Sequence, residues 1–353
     1  MSLEKIRKRI DEIDNEVIRL LNERAKAAME IGKIKVQANA HVYAPAREKQ
    51  VIDQICARNS GPLTSEALRS IYKEIISASR SLEKPLTVTY LGPHATFAHL
   101  AALQKFGSST NYLPARTISD VFIDVQKGRA DYGVVPIENS TEGIVSYTLD
   151  MFMESDLKIF SEVMLEVSQN LMSKSQLTDI KKVYSHPQAL GQCRRWLEAN
   201  VAHAELIATS STAQAAELAE KDPAAAAIAN ELAAETYHLN LLVRRIEDSP
   251  NNYTRFLIIG HSMAERSGRD KTSIMFSIRH RVGALSEVLK TFASHQINLT
   301  RIESRPSRQR AWEYVFFVDL EGHMDDGHVA LALEEARANC IFLKTLGSYP
   351  SGE

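Results

Sequence analysis

The apolar residues at the start of the chain fall at Ile6, Ile10, Ile13, Val17 and Leu20, and resume at Ala27, Ile31 and Ile34. Steps of alternately four and three place them on one seam of an α-helix packed against other helices. The spacing predicts a first helix to about Lys35, roughly 50 Å long at 1.5 Å per residue. Pro45 opens a second helix through Ile55, and Asn59-Ser60-Gly61-Pro62 breaks the chain. A third helix runs from Thr64-Ser65-Glu66 to Glu83, with Ser65 as its expected cap, and Pro85 ends it. Residues 1–84 are therefore expected to form an all-α helical domain.

Beyond Pro85 the rhythm changes. Over residues 86–262, short apolar runs (LTVTYL, DYGVVPI, KKVYS, AELIAT, AAAAIA, LLVRRI, TRFLIIG) alternate with helical stretches, the α/β pattern of open sheets. The loops after several runs are small and polar: Gly92-Pro93-His94-Ala95-Thr96, Glu138-Asn139-Ser140-Thr141, Ser185-His186-Pro187-Gln188 and Ser210-Ser211-Thr212. Such loops, where strands end and helices begin, are where α/β sheets bind anions. Residues 261–270 read as a polar linker. Residues 271–348 read β-α-β-β-α-β, an α+β ferredoxin-like sandwich.

Composition narrows the function. With 42 basic and 44 acidic residues among 353, the chain carries no basic field for nucleic acid or an anionic membrane surface. Cys56, Cys193 and Cys340 are scattered and odd in number, so neither a disulfide framework nor a metal site is expected. There is no apolar run long enough for a membrane span, no apolar leader core at MSLEKIRKRIDEID and no GxGxxG loop. A cytoplasmic protein without cofactor or metal is expected.

The position that continues the seam after Leu20 is residue 24, and it is Arg24. A cation on a packing face is costly unless it is paired. Lys35 lies eleven residues on, almost three turns, on the same side and about 16 Å along the axis. Two readings stay open: the two cations clasp a small dianion, or Arg24 pairs with a buried carboxylate such as Glu48.

The dispersed pattern Arg7, Asp14, Arg24, Gly32-Lys33-Ile34-Lys35, Pro45, Arg47-Glu48, Ser79, Glu83 resembles the all-helical class of chorismate mutases. The resemblance implies that Arg7, Arg24, Lys35 and Arg47 bind the two carboxylates of chorismate and that Glu48 takes a substrate hydroxyl. Ser79 and Glu83 complete the pocket. Catalysis there rests on holding a compact geometry and stabilising the ether oxygen as its C–O bond breaks, with Lys35 as donor. Glu83 stands where some relatives carry Gln, and helps the developing charge only when protonated. Ala44 stands where some carry Asp. Arg7 precedes Arg24 by 17 residues, about 25 Å along a straight helix. Arg7 is therefore expected to serve a partner's site, which implies an intertwined homodimer or a higher homo-oligomer.

The stretches YLGPHATFAHLAA, GVVPIENSTEGIV, SHPQALGQC, TSSTAQAA and IEDSPNNYTRFLIIG, in this order, resemble prephenate dehydratases. The implied fold is two α/β lobes enclosing the substrate, like periplasmic binding proteins. Thr254 is implied to hydrogen-bond the leaving hydroxyl. Asn139, Ser140, Thr141, Ser185, Gln188, Ser211 and Thr212 are candidate cleft donors. Arg255 either holds a carboxylate or pairs within the protein, and His186 is either an acid or structural, with Glu138 as a further candidate acid. Ala95 and Ala98 depart from the usual GPxGTFS pattern; the extra methyl at Ala95 is expected to restrict backbone approach to the substrate.

The last segment resembles an ACT domain through Gly283-Ala284-Leu285-Ser286, Glu303-Ser304-Arg305-Pro306 and a strand from Trp312 to Asp319. That implies a phenylalanine site at Gly283, Ala284, Leu285, Glu303, Ser304, Arg305 and Pro306. Taken together, the resemblances imply a fused enzyme of phenylalanine biosynthesis. It would rearrange chorismate to prephenate, convert prephenate to phenylpyruvate and be inhibited by phenylalanine. Three alternatives are a preference for arogenate, an inert amino-acid sensor and a mutase fused to a dehydrogenase, the last of which would need the GxGxxG loop that the sequence lacks. The fused mutase, whose product is prephenate, weighs against the first. The presence of Arg24, Lys35, Arg47, Glu48 and Thr254 weighs against the second.

Overall fold

The computed structural model describes residues 2–37, 43–306 and 314–352. By its internal contacts the chain divides into two units, residues 1–87 with 106–111, and residues 88–105 with 112–353. Trp312 and Glu313, expected at the start of a strand, lie outside the described residues.

Among the described residues the first unit holds three helices, α1 (Leu3–Gln37), α2 (Pro45–Arg58) and α3 (Ser65–Glu83). Thr64, not Ser65, caps α3: its hydroxyl accepts from the Ala67 amide at 3.1 Å, and Ser65 is already helical. Ala44 sits at the N-cap of α2 and supplies no side-chain cap. Helix α1 is unbroken, but its seam is not covered within the chain: Ile6, Ile10, Ile13 and Val17 are all exposed. Its far end packs closely. A Cβ at Gly32 would meet Glu83 Cβ at 2.9 Å, so glycine lets α1 approach α3 where Lys35 and Glu83 meet.

The second unit begins with β1 (Thr87–Leu91), α4 (Phe97–Phe106), β2 (Asn111–Ala115), α5 (Ile118–Gln126), β3 (Tyr132–Asn139), β4 (Gly143–Ile144), α6 (Ser146–Glu154) and β5 (Lys158–Glu166). The chain then builds a second lobe from β6 (Asn170–Ser173), β7 (Lys182–Ser185), α7 (Pro187–Gln192), α8 (Arg194–Asn200), β8 (Glu205–Ala208), α9 (Thr212–Lys221), β9 (Ala225–Ala229), α10 (Glu231–Thr236) and β10 (Asn240–Val243). Strand β11 (Tyr253–Gly260) returns to the first lobe and completes its sheet, ordered β2-β1-β3-β11-β5 with β4 paired to β3. The second lobe's sheet is ordered β10-β6-β9-β7-β8. All five residues of β9 are buried, and their small side chains let α9 pack tightly on the sheet.

The C-terminal domain follows as β12 (Asp270–Ser277), α11 (Ala284–Ser294), β13 (Leu299–Pro306), β14 (Tyr314–Glu321), α12 (Gly327–Ala338) and β15 (Phe342–Pro350), with sheet order β13-β14-β12-β15. This is the expected ferredoxin-like arrangement. No helix among the described residues is long and apolar enough to cross a membrane.

Ala95 corrects one expectation. Its φ is +62°, a left-handed conformation that costs an L-residue on the order of 1–2 kcal/mol. Ala95 is fully buried in one core cluster with Ala213, Ala216 and their neighbours, and it does not line the cleft between the lobes of the second unit. It therefore does not restrict approach to a ligand. The backbone is fixed on both sides: the Ala95 amide donates to His99 Nδ1 at 3.1 Å, and Asn230 Nδ2 donates to the Ala95 carbonyl at 2.9 Å. His99 stacks on Tyr90 at 4.5 Å and faces the edges of Tyr112 and His94. Burial, with a smaller contribution from His94, pushes the His99 pKa down to about 4. An unfolded histidine titrates near 6.5. Between these values the unfolded chain binds a proton that the folded chain refuses, so stability falls as pH drops. The thermal midpoint should decline from about pH 6.5 towards 4, and His99→Gln should flatten that decline. An identical pH slope in wild type and variant would remove His99 from the account.

Candidate active sites

In the helical unit, α1 and α3 bring four of the expected residues into two pairs. Arg24 is half-buried and donates from Nη1 to Ser79 Oγ at 2.5 Å. Ser79 in turn donates to the Ile75 carbonyl at 2.7 Å. Lys35 Nζ lies 3.3 Å from Glu83 Oε2. Both pairs follow from helical spacing: Ser79 and Glu83 are one turn apart on α3, facing α1.

Arg24 does not pair with Glu48. That carboxylate is bridged by Arg80 Nη1 at 2.6 Å. Arg80 itself is buried, stacked over Tyr43 at 4.9 Å and Phe106 at 5.7 Å. Sequence reasoning passed over Arg80, although its place three residues before Glu83 on the amphipathic α3 marks it as inward-facing. Glu48 is thus held by a structural cation beside the site. Arg47 is exposed and donates to Gln50 at 2.6 Å, and Arg7 is exposed on α1.

In the second unit a cleft of about 620 Å³ opens between the two lobes. It is lined by Asn139, Thr254 and Phe256 from the first lobe's central strands, by Asn252 just before β11, and by His186, Gln188, Ser211 and Thr212 from the second lobe. Strand register explains who faces it. On β11, Thr254 and Phe256 alternate with Arg255, so the arginine points to the opposite face. On β3, Pro136 and Asn139 both line the cleft although they are an odd number apart. A bulge makes this fit: Arg255 pairs with Glu138, but Phe256 pairs with Pro136.

The register also sets Thr254 directly against Asn139. Asn139 Oδ1 accepts from the Thr141 amide at 3.0 Å, the Thr141 hydroxyl at 2.6 Å and the Glu142 amide at 3.1 Å. Three donors on one oxygen fix the amide orientation, which leaves Nδ2 to donate to Thr254 Oγ1 and Asn252 Oδ1, both at 2.8 Å. Thr254 Oγ1 therefore receives a hydrogen bond from the protein. Its own proton has no acceptor among the described residues and is directed to whatever occupies the cleft.

The other expected donors divide. Thr141 orients Asn139 rather than the cleft. Ser140 staples its loop to the β11 entrance, donating to the Asn251 carbonyl at 3.1 Å and accepting from the Tyr253 amide at 2.9 Å. Ser185 is buried and donates to the Ile228 carbonyl at 2.7 Å, away from any ligand. Ser211 caps α9, accepting from the Gln214 amide at 3.0 Å, and Gln188, Thr212 and Ala98 line the cleft. His186 both lines the cleft and caps α7.

Arg255 takes the internal of its two readings, and its assignment to substrate is corrected. Its guanidinium lies between Glu162 Oε2 at 2.7 Å and Asp319 Oδ2 at 2.6 Å, with Tyr349 Oη at 3.0 Å. Asp319 also accepts from Ser273, and Lys271 reaches Glu162 at 2.8 Å. Burial, the largest single influence, would raise both carboxyls; Arg255 together with Lys271 and the Gly352 amide at Glu162, and with Ser273 and Arg301 at Asp319, outweighs it, and both end below their ordinary range. Burial likewise holds the Tyr349 hydroxyl far above its usual range, so it is neutral. Glu138 shares this face and meets Arg301 Nε at 3.4 Å. It is not among the residues lining the cleft and is no longer a candidate acid there.

In the C-terminal domain Gly283, Ala284 and Leu285 line an open cavity of about 680 Å³ with Tyr314 and Phe316. Gly283 has φ +81° at the N-cap of α11, so its amide region is uncovered by any side chain of its own. The Glu303–Pro306 motif is not brought into that cavity as a block. Arg305 turns to Asp150 of α6 at 3.1 Å because the inward face of β13 packs on the first lobe, and Glu303 is half-buried on the same face. Ser304 and Pro306 are exposed and pair in register with Phe316 and Tyr314, beside the cavity lining.

These geometries agree with the comparisons. Residues 6–84 match the family Chorismate mutase type II, residues 88–264 match Prephenate dehydratase and residues 272–338 match the ACT domain. The chain is 52% identical over 353 residues to the bifunctional chorismate mutase/prephenate dehydratase of Aquifex aeolicus, covering 99% of this chain and 98% of that protein. The structure of prephenate dehydratase from Arthrobacter aurescens in complex with L-Phe aligns with a TM-score of 0.70 at 36% identity, over 75% of this chain and 90% of that one. A structure described as GqqA, a novel type of quorum quenching acylase, aligns with a TM-score of 0.69 at 28% identity, over 75% of this chain and 98% of that one. The two-lobed fold thus hosts more than one chemistry, and the full-length relatives decide between them. The chain belongs to the family of bifunctional chorismate mutase/prephenate dehydratases.

Proposed function

We propose that the helical unit rearranges chorismate to prephenate, that the two-lobed cleft converts prephenate to phenylpyruvate, and that phenylalanine restrains the second reaction through the C-terminal domain. The observation that carries this reading is the Asn139–Thr254 pair, with the threonine proton directed into the cleft.

The mutase step is intramolecular: one C–O bond breaks as one C–C bond forms, and no proton is exchanged. Arg24 and Lys35 lie on the same side of α1, supported by Ser79 and Glu83 of α3. Arg24 holds a substrate carboxylate, and Lys35 donates to the ether oxygen as it gains charge. Arg47 and Arg7 supply the remaining charge, Arg7 from a second copy. The straight, unbroken α1 keeps Arg7 about 25 Å from Arg24 on one chain. The exposed seam of Ile6, Ile10, Ile13 and Val17 supports a homodimer, since a second copy of the same helix is what a four-three seam accepts.

The dehydratase step takes the prephenate dianion and one proton to the phenylpyruvate anion, carbon dioxide and water. Electrons of the breaking C–C bond enter the ring and expel hydroxide, which leaves as water. Thr254 donates to that departing oxygen, and Asn139 polarises Thr254 by donating to its oxygen. His186, at the cleft wall, is the proposed proton source.

Phenylalanine control has a physical route. The Thr254/Asn139 pair faces the cleft, and the adjoining Arg255/Glu138 pair faces the C-terminal domain, where Asp319 and Arg301 engage it. A ligand that shifts β13 and β14 acts on the backs of the two catalytic residues. The L-Phe held by the Arthrobacter aurescens relative supports the choice of effector, and the Gly283 cavity is its proposed seat.

Purified protein given chorismate without any cofactor should release phenylpyruvate. Arg24→Ala and Lys35→Ala should each lower mutase kcat/KM by at least about 100-fold while supplied prephenate is still consumed. Thr254→Val should do the reverse, with prephenate accumulating from chorismate. Near-normal mutase activity in both helix variants, or phenylpyruvate at the usual rate from Thr254→Val, would reject the respective site. Phenylalanine should inhibit the dehydratase by shifting prephenate affinity about 5- to 150-fold, and Gly283→Val should weaken this while sparing uninhibited turnover. Calorimetry showing no phenylalanine binding to the full-length protein would remove the effector assignment.

A further inference from the structure

The dehydratase cleft contains a cation that its family motifs do not name. Ala115 ends β2, and Thr117 begins a capping box with Asp120 that fixes the start of α5. Arg116 lies between these two anchored residues, at the carboxyl end of a strand. Its side chain is exposed and lines the same cleft as Asn139 and Thr254. Among the described residues it has no ion-pair or hydrogen-bond partner, and it is the one Arg or Lys in the cleft lining.

We propose that Arg116 holds the pyruvyl carboxylate of prephenate, the one retained in the product. This rests on the dehydratase reading of the cleft. The substrate brings two negative charges, and apart from Arg116, Glu142 and His186 the described lining presents apolar groups and neutral donors. A dianion is bound most readily where a fixed cation meets it.

The chemistry decides which carboxylate it is. The ring carboxylate leaves as carbon dioxide and loses its charge on the way to the transition state. A guanidinium on that group would favour the ground state and slow the reaction. The pyruvyl carboxylate keeps its charge throughout, so a cation there anchors without opposing the chemistry. Strand order fits this placement. From β2 to β11 the sheet runs across β1 and β3, three inter-strand spacings or about 14 Å. The leaving hydroxyl, at Thr254, lies across the ring from the carbon bearing the pyruvyl group. A ring with its three-carbon side chain, extended by an arginine, spans such a gap.

The test is steady-state kinetics of the full-length enzyme with prephenate, for wild type, Arg116→Gln and Arg116→Lys. Inhibition by phenylpyruvate is measured beside it, and mutase activity serves as a control in the same molecule. Arg116→Gln should raise KM for prephenate at least 10-fold with kcat changed less than about 3-fold. It should raise the phenylpyruvate inhibition constant by a similar factor, because the product keeps only that carboxylate. Arg116→Lys should recover part of both. Mutase turnover should not move. An unchanged KM in Arg116→Gln would overturn the proposal. A raised KM with an unchanged phenylpyruvate constant would also overturn it, by assigning Arg116 to the departing carboxylate. If kcat and the thermal midpoint fall together in both variants, Arg116 is structural and the proposal fails. A wild-type enzyme that leaves prephenate untouched would remove the dehydratase reading first, which is a separate and visible result.

Discussion

The second unit is organised around one buried guanidinium. Arg255 sits between Glu162 of β5 and Asp319 of β14, with Tyr349 of β15 completing its shell. Buried ion pairs add little net stability against an apolar substitute, yet removing one partner leaves an uncompensated charge at a cost of about 3–5 kcal/mol. The C-terminal domain therefore cannot drift from the first lobe without stranding Arg255 or Asp319. Pairing specifies register, and register specifies function: the same two strands that present Arg255 and Glu138 to the domain interface present Thr254 and Asn139 to the cleft. A single bulge between β3 and β11 lets both arrangements hold at once.

The helical unit solves a different problem. Its cations sit on a packing seam, where each needs a partner. Ser79 and Glu83 supply partners for Arg24 and Lys35, and the buried Arg80 occupies Glu48. The neutral serine leaves most of the Arg24 charge uncompensated, which suits a residue that waits for an anion. Towards its N-terminus, α1 presents bare aliphatic side chains instead. The seam therefore changes role along its length, from a self-complementary surface at Ile6–Val17 to a charged site at Arg24–Lys35.

Much of this was legible in the sequence because it depends on period and punctuation. The four-three seam predicted α1, the Pro and Gly breaks predicted the α2 and α3 boundaries, and the βαββαβ rhythm predicted the last domain. What was not legible depended on which face a strand residue takes. The sequence around Arg255 fits a ligand contact and an internal ion pair equally well, and only the β11 register decides that it faces Asp319. Ser185, Ser140 and Thr141 have the composition of ligand donors, but their hydroxyls are spent on backbone and side-chain partners that only the folded chain brings near. Ala95 has the loop position of a cleft residue, but at its positive φ the methyl lies in the core. Arg80 and Arg116 were missed for opposite reasons: one is hidden among aromatic rings, and the other lies outside the family motifs.

The measurement that most directly tests this account is prephenate turnover and its inhibition by phenylalanine in full-length Asp319→Asn and Tyr349→Phe. Mutase activity and thermal midpoint are read on the same preparations. Tyr349→Phe keeps the packing and removes one bond to Arg255; Asp319→Asn removes a charge. If the cluster holds the catalytic strand in place, both variants should lose dehydratase kcat and phenylalanine response in graded order, with Asp319→Asn falling at least about 10-fold, the scale of one charged hydrogen bond. Mutase activity should be untouched. Normal prephenate turnover and normal phenylalanine response in a folded Asp319→Asn enzyme would contradict the account, because the back of the Thr254 strand would then be free of the domain that grips it.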